Sequence, residues 1–201
     1  MELTIPRKEL NQALGAICRM VSTQSALQVM RNVLVDANGD LRLAGTNLEL
    51  GLELHVEANV QVPGKITVPA RDLQALVSSL PEADISMTLE KTSLVVRCLK
   101  NRFSLETLSA EDFPSLPELQ GTARTIFSIP GKLLREAILQ VVYAANDDDT
   151  RPILTGVLWR LDKGCLTLAA TNTHQLVVLA VAPASLSGTG DFLLPSTACR
   201  E

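Results

Sequence analysis

The apolar positions of the chain change period several times, and each change marks an element. Residues 2–5 alternate over a short span, which suits a strand. Pro6 then fixes the entry to a helix. Leu10, Ala13, Leu14, Ile17 and Val21 follow helical spacing, so an amphipathic helix of about 14 residues is expected. Its other face carries Arg7, Lys8, Asn11, Gln12, Gly15 and Arg19. Residues 22–28 are polar and loop-like. The period then shortens to two. Strands are expected at Asn32–Asp36 and Leu41–Gly45, joined by an Asn38-Gly39 turn, the strongest short hairpin signal. Another is expected at Leu48–Glu57, with Leu50, Leu52, Leu54 and Val56 on one face and Glu49, Gly51, Glu53 and His55 on the other.

The same order then recurs. Lys65–Val68 reads as a strand, Pro69 opens a helix striped by Leu73, Leu76, Val77 and Leu80, and Pro81 stops it. Strands Ile85–Leu89, Leu94–Cys98 and Arg102–Leu105 follow. Residues 109–124 are Pro-rich and acidic, which reads as a linker. A further strand and helix surround Pro130, with Leu133, Leu134, Ala137, Ile138 and Val141 inward. Asn146 to Asp149 reads as an acidic loop, followed by strands Ile153–Leu161, Cys165–Ala170 and Gln175–Val181. Pro195 is expected to open one more helix.

This recurrence is a repeat. Leu3-Thr-Ile-Pro6-Arg-Lys8 answers Phe127-Ser-Ile-Pro130-Gly-Lys132, and Asn32-Val-Leu34 answers Gly156-Val-Leu158. Gly39-Asp-Leu41-Arg-Leu43-Ala44-Gly-Thr46-Asn47 answers Gly164-Cys-Leu166-Thr-Leu168-Ala169-Ala-Thr171-Asn172, and Thr67-Val-Pro69 answers Leu193-Leu-Pro195. A repeat of this length means two copies of one domain. Three half-units are complete and a fourth begins. A domain cut inside a helix leaves an open sheet edge, so the chain is expected to be a fragment, or to receive its final part from another chain.

Composition narrows the class. Among 201 residues, 46% are hydrophobic and only 3% aromatic, so an aliphatic core is expected. No run of 18 apolar residues and no apolar leader segment are present, which points to a cytoplasmic protein. Cys18, Cys98, Cys165 and Cys199 lie far apart, and His55 and His174 are the sole histidines. Metal spacing is therefore absent, and reduced thiols are expected. The net charge of −4 counts against a nucleic-acid binder, but it is a global sum and a basic surface can coexist with it.

Gly45-Thr-Asn-Leu-Glu49, Val68-Pro-Ala-Arg71 and Phe103-Ser-Leu followed by Glu111-Asp-Phe-Pro114 resemble the bacterial DNA polymerase III β subunit, the replication sliding clamp. The resemblance runs along the whole chain. It implies an α+β DNA-clamp fold of repeated βαβββ units, with helices on one face and antiparallel sheets on the other. It implies a first clamp domain at 1–120, a truncated middle domain at 121–201 and an absent third domain. In this family two subunits pair head to tail around duplex DNA, with helices lining the hole. Such a lining needs phosphate contacts that hold without reading sequence. Arg71, Arg7, Lys8, Arg19, Lys132 and Arg135 are the expected DNA-facing residues, Arg71 the best placed because it ends the matching motif. A solvated helix face is the competing reading for each. At the family's loop contacts to DNA, this chain has Gln24, Asp148, Pro152 and Ile153, none of which matches.

The resemblance also implies a groove that takes short linear peptides from the polymerase III α subunit, the clamp loader and repair polymerases. Its half in the middle domain falls on Arg151, Leu154, Thr171, His174, Leu176 and Val177. The family segment typically reads Thr-Asp-Gly-His-Arg-Leu; here it is Thr171-Asn-Thr-His174-Gln-Leu176. Ring closure points to Leu76, Leu80 and Phe103, with core packing as the competing reading for the two leucines. This chain alone is not expected to close a homodimer ring.

Chemistry is not in evidence. There is no GxSxG, Walker A or GxGxxG, and the acidic run at 147–149 lacks the alternating spacing of a calcium loop. No cofactor or metal is expected. The expectation is a non-catalytic processivity factor. The alternative is a clamp-derived interaction module that binds partner peptides without encircling DNA. A trimer of two-domain chains would require a complete second domain.

Overall fold

The computed structural model describes residues 1–21, 25, 27–115, 126–148 and 150–200. The chain divides into two compact units, Met1–Glu118 and Leu119–Glu201.

In the first unit, β1 (Glu2–Pro6) leads into α1 (Arg7–Met20), which begins where Pro6 fixes the backbone. Then come β2 (Asn32–Asp36), β3 (Leu41–Thr46), β4 (Gly51–Val56), β5 (Asn59–Val62) and β6 (Lys65–Pro69). Next is α2 (Ala70–Ser79), followed by β7 (Asp84–Glu90), β8 (Ser93–Cys98) and β9 (Asn101–Glu106). The helices and all but one of the strands stand where the hydrophobic pattern puts them.

The exception is β5. Its sequence, Asn-Val-Gln-Val, is half polar, and it lies at a sheet edge against β1, so little of it is buried. It changes the architecture. One sheet runs β5-β1-β7-β8-β9 and the other β4-β3-β2-β6, both antiparallel. The two half-units therefore exchange strands. β1 and β5 of the first join the strands of the second, and β6 of the second joins those of the first. One core results: Leu10, Leu14 and Ile17 of α1 and Leu73 and Val77 of α2 are buried with Leu3, Ile5, Val33, Leu41, Leu43, Ile85, Met87 and Leu94. By area, each such leucine contributes roughly 2 kcal/mol.

β4 is shorter than expected. It starts at Gly51 because Leu48 adopts a left-handed turn with φ +76°. At the far end of β2, Asp36 is nearly buried and ties three strands. Arg42 Nη2 donates to it over 2.9 Å, Asn38 Nδ2 over 2.7 Å, and Lys65 Nζ stands 3.7 Å away.

The second unit repeats the plan: β10 (Ile126–Ser128), α3 (Gly131–Val141), β11 (Gly156–Asp162), β12 (Cys165–Thr171), β13 (Leu176–Val181), β14 (Ser185–Ser187), β15 (Gly190–Pro195) and α4 (Ser196–Arg200). Its four-stranded sheet, β13-β12-β11-β15, has the order of β4-β3-β2-β6. Pairs correspond across the repeat: Leu34 opposes Ala44 as Leu158 opposes Ala169, and Leu34 opposes Thr67 as Leu158 opposes Leu193. Three details differ from the sequence expectation. β11 begins at Gly156, because Pro152–Leu154 forms a 3-10 turn. Neither the short β14 nor β15 was foreseen as a strand. And the core is not wholly aliphatic: Trp159 is buried, with ring centroids 6.4 Å from Phe127 and 5.9 Å from Phe192.

Burial pushes the Asp36 carboxyl up, but the hydrogen bonds of Arg42 and Asn38 and the charges of Arg42 and Lys65 outweigh it, so its pKa is lowered. A lowered folded-state pKa gives stability that is present above the unfolded value, about 3.9, and lost as pH falls through the folded value. Asp36→Asn is expected to lower the urea-unfolding free energy at pH 7 by about 1–3 kcal/mol, with the gap to wild type closing below about pH 4. An equal gap at pH 7 and pH 3 would contradict this role.

Candidate functional site

α1 and α2 lie side by side, joined by a 2.7 Å hydrogen bond from Ser78 Oγ to Asn11 Oδ1. Each buries one stripe and leaves the opposite one in solvent. On α1 the open stripe includes Lys8, Gln12, Gly15 and Arg19; on α2 it includes Arg71, Gln74 and Ser78. Between them lies a shallow depression of about 450 Å³ lined by Gly15, Cys18, Arg19, Arg71 and Gln74. Burial pushes the Cys18 thiol up against the opposing pull of Arg71, so the thiol stays neutral at pH 7. Two exposed guanidinium groups beside a neutral thiol and an amide make a surface suited to phosphate oxygens. Arg71 and Arg19 meet here as the sequence suggests. Gln74 was missed, although it lies one turn beyond Arg71 on the same stripe.

Arg7 has a different task. Its Nε donates to Val77 O over 3.1 Å and its Nη2 to Ser78 O over 2.7 Å, while Nη1 pairs with Glu82 over 3.0 Å. The guanidinium thus closes the C-terminal end of α2, where free carbonyls favour a cation. It is a clasp between helices, and its donors are already committed. In the second unit Lys132 and Arg135 are exposed on α3, one turn apart, with Leu139 and Tyr143 also in solvent.

The other candidate site surrounds the β12–β13 hairpin. A depression of about 370 Å³ is lined by Asn146, Asp148, Thr150, Arg151, Asn172, Thr173 and His174. Of the residues expected in a peptide groove, Arg151 and His174 come together here. Leu154, Thr171 and Val177 are half-buried and Leu176 is 66% exposed. Val177 points into the core side of the sheet with Leu179 and Val181. The Thr171 hydroxyl is committed to Gln175 O over 2.7 Å. Asn172 Oδ1 accepts from the backbone N–H groups of His174 and Gln175, both over 3.1 Å. The first unit repeats this turn: Thr46 Oγ1 donates to Leu50 O, and Asn47 Oδ1 accepts from Glu49 and Leu50. Asn172 is therefore the residue that shapes the rim, and the shared Thr-Asn pair was its sequence signal. Beside it, the backbone and side-chain hydrogen bonds of Thr150 lower the pKa of the Asp148 carboxyl, which remains ionised.

The family model for the DNA polymerase III beta subunit N-terminal domain matches residues 1–117, and that for its central domain matches residues 128–201. The chain belongs to this family. It is 32% identical to the beta sliding clamp of Micrococcus luteus over 100% of this chain and 65% of that protein. It is 36% identical to that of Pseudomonas aeruginosa over 90% of this chain and 50% of that protein. The crystal structure of the Pseudomonas aeruginosa sliding clamp bound to griselimycin superposes with a TM-score of 0.92 at 33% identity, covering 100% of this chain and 55% of that one. The chain thus spans about half to two thirds of the length of these clamps. The α+β clamp fold expected from the sequence is the fold observed.

Two of the expected site residues have packing roles of their own. Arg7 serves the helix pair, as described. Leu80 is 5% exposed and belongs to the core, so its side chain is not available to a partner; Leu76 is half-buried against the same core, and Phe103 is 42% exposed on β9. Gln24 lies outside the described residues. Thr173, where the clamp pattern has Gly, sits at φ +77°, a conformation that disfavours a β-branched residue.

Two outcomes follow. Arg7→Ala is expected to cost about 1–3 kcal/mol in thermal or urea unfolding, whereas Arg71→Ala should leave stability within about 0.5 kcal/mol; the reverse order would overturn the clasp. Thr173→Gly should stabilise the protein by about 0.5–1 kcal/mol by relieving the left-handed strain, read as a rise in melting temperature. A fall would show that the Thr173 side chain holds the turn.

Proposed function

We propose that this chain works as part of a sliding clamp that encircles duplex DNA and tethers the replicative polymerase. The observation that carries the reading is the match of residues 1–117 and 128–201 to the N-terminal and central clamp domains in order, with exposed cations on α1, α2 and α3. Arg71, Arg19 and Lys8 in the first unit, and Lys132 and Arg135 in the second, supply sequence-independent phosphate contacts. Retention comes from topology, so individual contacts can stay weak. The role is non-catalytic and cytoplasmic. No helix among the described residues is long and apolar enough to cross a membrane.

The hairpin rim at Arg151, Thr171 and His174, with Leu154 and Leu176 beside it, receives short linear peptides. The polymerase III α subunit, the clamp loader and repair polymerases are the partners in this reading. An apolar anchor seated among aliphatic side chains with a polar rim is a known mode of peptide capture. Griselimycin occupies the related Pseudomonas clamp, which supports ligand capture by this fold. Ring closure uses Phe103 and Leu76 in a head-to-tail homodimer.

One observation favours a second reading, an interaction module that binds peptides without encircling DNA. The loop beside the rim is acidic at Asp147 and Asp148, and Pro152 and Ile153 stand at the family's loop contacts to DNA without matching them. An ionised Asp148 repels phosphate.

Retention on DNA separates the two. The product of the full reading frame, loaded on nicked circular DNA, should elute with it and be released when the circle is cut. Raising salt from 50 to 200 mM should weaken direct binding steeply while leaving loaded clamps in place. Equal retention on circular and linear DNA contradicts encirclement and leaves the interaction module.

A further inference from the structure

The turn between β2 and β3 does more than reverse the chain. It carries Asn38-Gly39, and every other asparagine of the sequence precedes a residue with a side chain. A glycine offers no Cβ to shield its own backbone nitrogen from the side chain before it. Both residues are exposed, and Gly39 stands at φ +105°. A Cβ built there would meet nothing within 4 Å. The Gly39 N–H donates to no protein group among the described residues. A backbone nitrogen that is open, unhindered and next to a carboxamide is a nucleophile beside an electrophilic carbon.

Asn38 also holds the most buried carboxylate of this sheet. Its backbone N–H donates to Asp36 Oδ1 over 3.3 Å and its Nδ2 over 2.7 Å. The other oxygen of Asp36 faces Arg42 Nη2 at 2.9 Å and Lys65 Nζ at 3.7 Å. Arg42 is itself shared with Glu53 on β4, over 3.0 Å. Asp40 adds another exposed carboxyl to the same turn. The local cations are thus already committed. An oxygen in place of Asn38 Nδ2 removes a donor and sets a second negative charge against Asp36, where like charges repel. The corresponding turn of the second unit reads Asp162-Lys163-Gly164, with no amide to lose.

We infer that Asn38 is a site of spontaneous deamidation, and that conversion there unfastens Asp36 from the β2–β3 turn. The Gly39 nitrogen bonds to Asn38 Cγ as the Cγ–Nδ2 bond breaks. Nδ2 leaves as ammonia, carrying the proton given up by the Gly39 nitrogen, and a succinimide ring remains. Water then opens the ring at either carbonyl, to an aspartyl or an isoaspartyl residue. Nothing is oxidised or reduced: the net change is ammonia lost and water gained. In the isoaspartyl product the main chain runs through Cγ, so the turn also lengthens by one bond. The chemistry asks nothing of DNA or of a partner.

The test is to age the purified protein at mildly alkaline pH and map it by peptide mass. Asn38 should gain about 1 Da before any other asparagine, with isoaspartate detected at that position. Asn38→Asp should lower the urea midpoint by about 0.5 M. Asp36→Asn supplies the second arm: in that background Asn38→Asp should cost nothing or raise the midpoint, because one carboxylate and one amide are restored to the pair. Conversion at another asparagine first overturns the site. An Asn38→Asp midpoint equal to wild type, or an equal loss in both backgrounds, overturns the link to Asp36.

Discussion

Everything in the first unit depends on the way two short helices divide their surfaces. Leu10, Leu14 and Ile17 on α1, and Leu73 and Val77 on α2, are fully withdrawn from water into a core shared by two sheets. That burial fixes the rotation of each helix about its axis. Once it is fixed, Lys8, Arg19 and Arg71 can point only outward, on one surface. No charge–charge attraction brings these cations together, and in isolation they repel. The apolar stripes on the far side impose the arrangement, and Arg7 locks it by closing the end of α2.

The duplication explains much of the rest. The two four-stranded sheets share strand order and register, and the two Thr-Asn hairpins share their hydrogen bonds. Where the copies differ, the difference carries information. Asn32 and Thr67 became Gly156 and Leu193, exchanging a hydrogen bond for an apolar contact beside a more open face. The first turn places an exposed Leu48 at φ +76° and the second an exposed Thr173 at φ +77°, so both retain a strained residue at the tip.

Much of this was legible in the sequence because it rests on local rules. Pro6, Pro69, Pro130 and Pro195 each precede a helix, and the apolar period gave α1, α2 and α3 their inward faces. What the sequence hid was non-local. β5 is half polar and gains its place only by pairing with β1. The exchange of strands between half-units is a property of pairing, which no single segment encodes. Leu76 and Leu80 look alike on a helical stripe, yet one is half-buried and the other belongs to the core, because Leu80 lies past the helix end where the chain turns back. Arg7 read as a free cation because its acceptors are main-chain carbonyls some 70 residues away. The candidate sites followed the same division: the exposed cations of the helices could be read from periodicity, whereas the organising role of Asn172 needed the folded turn.

The measurement that tests the account most directly is electron microscopy of the purified product of the full reading frame. The account predicts closed rings of two copies with a central hole wide enough for duplex DNA and helices on its inner wall. Monomers or open assemblies, with no closed ring at any protein concentration, would contradict it.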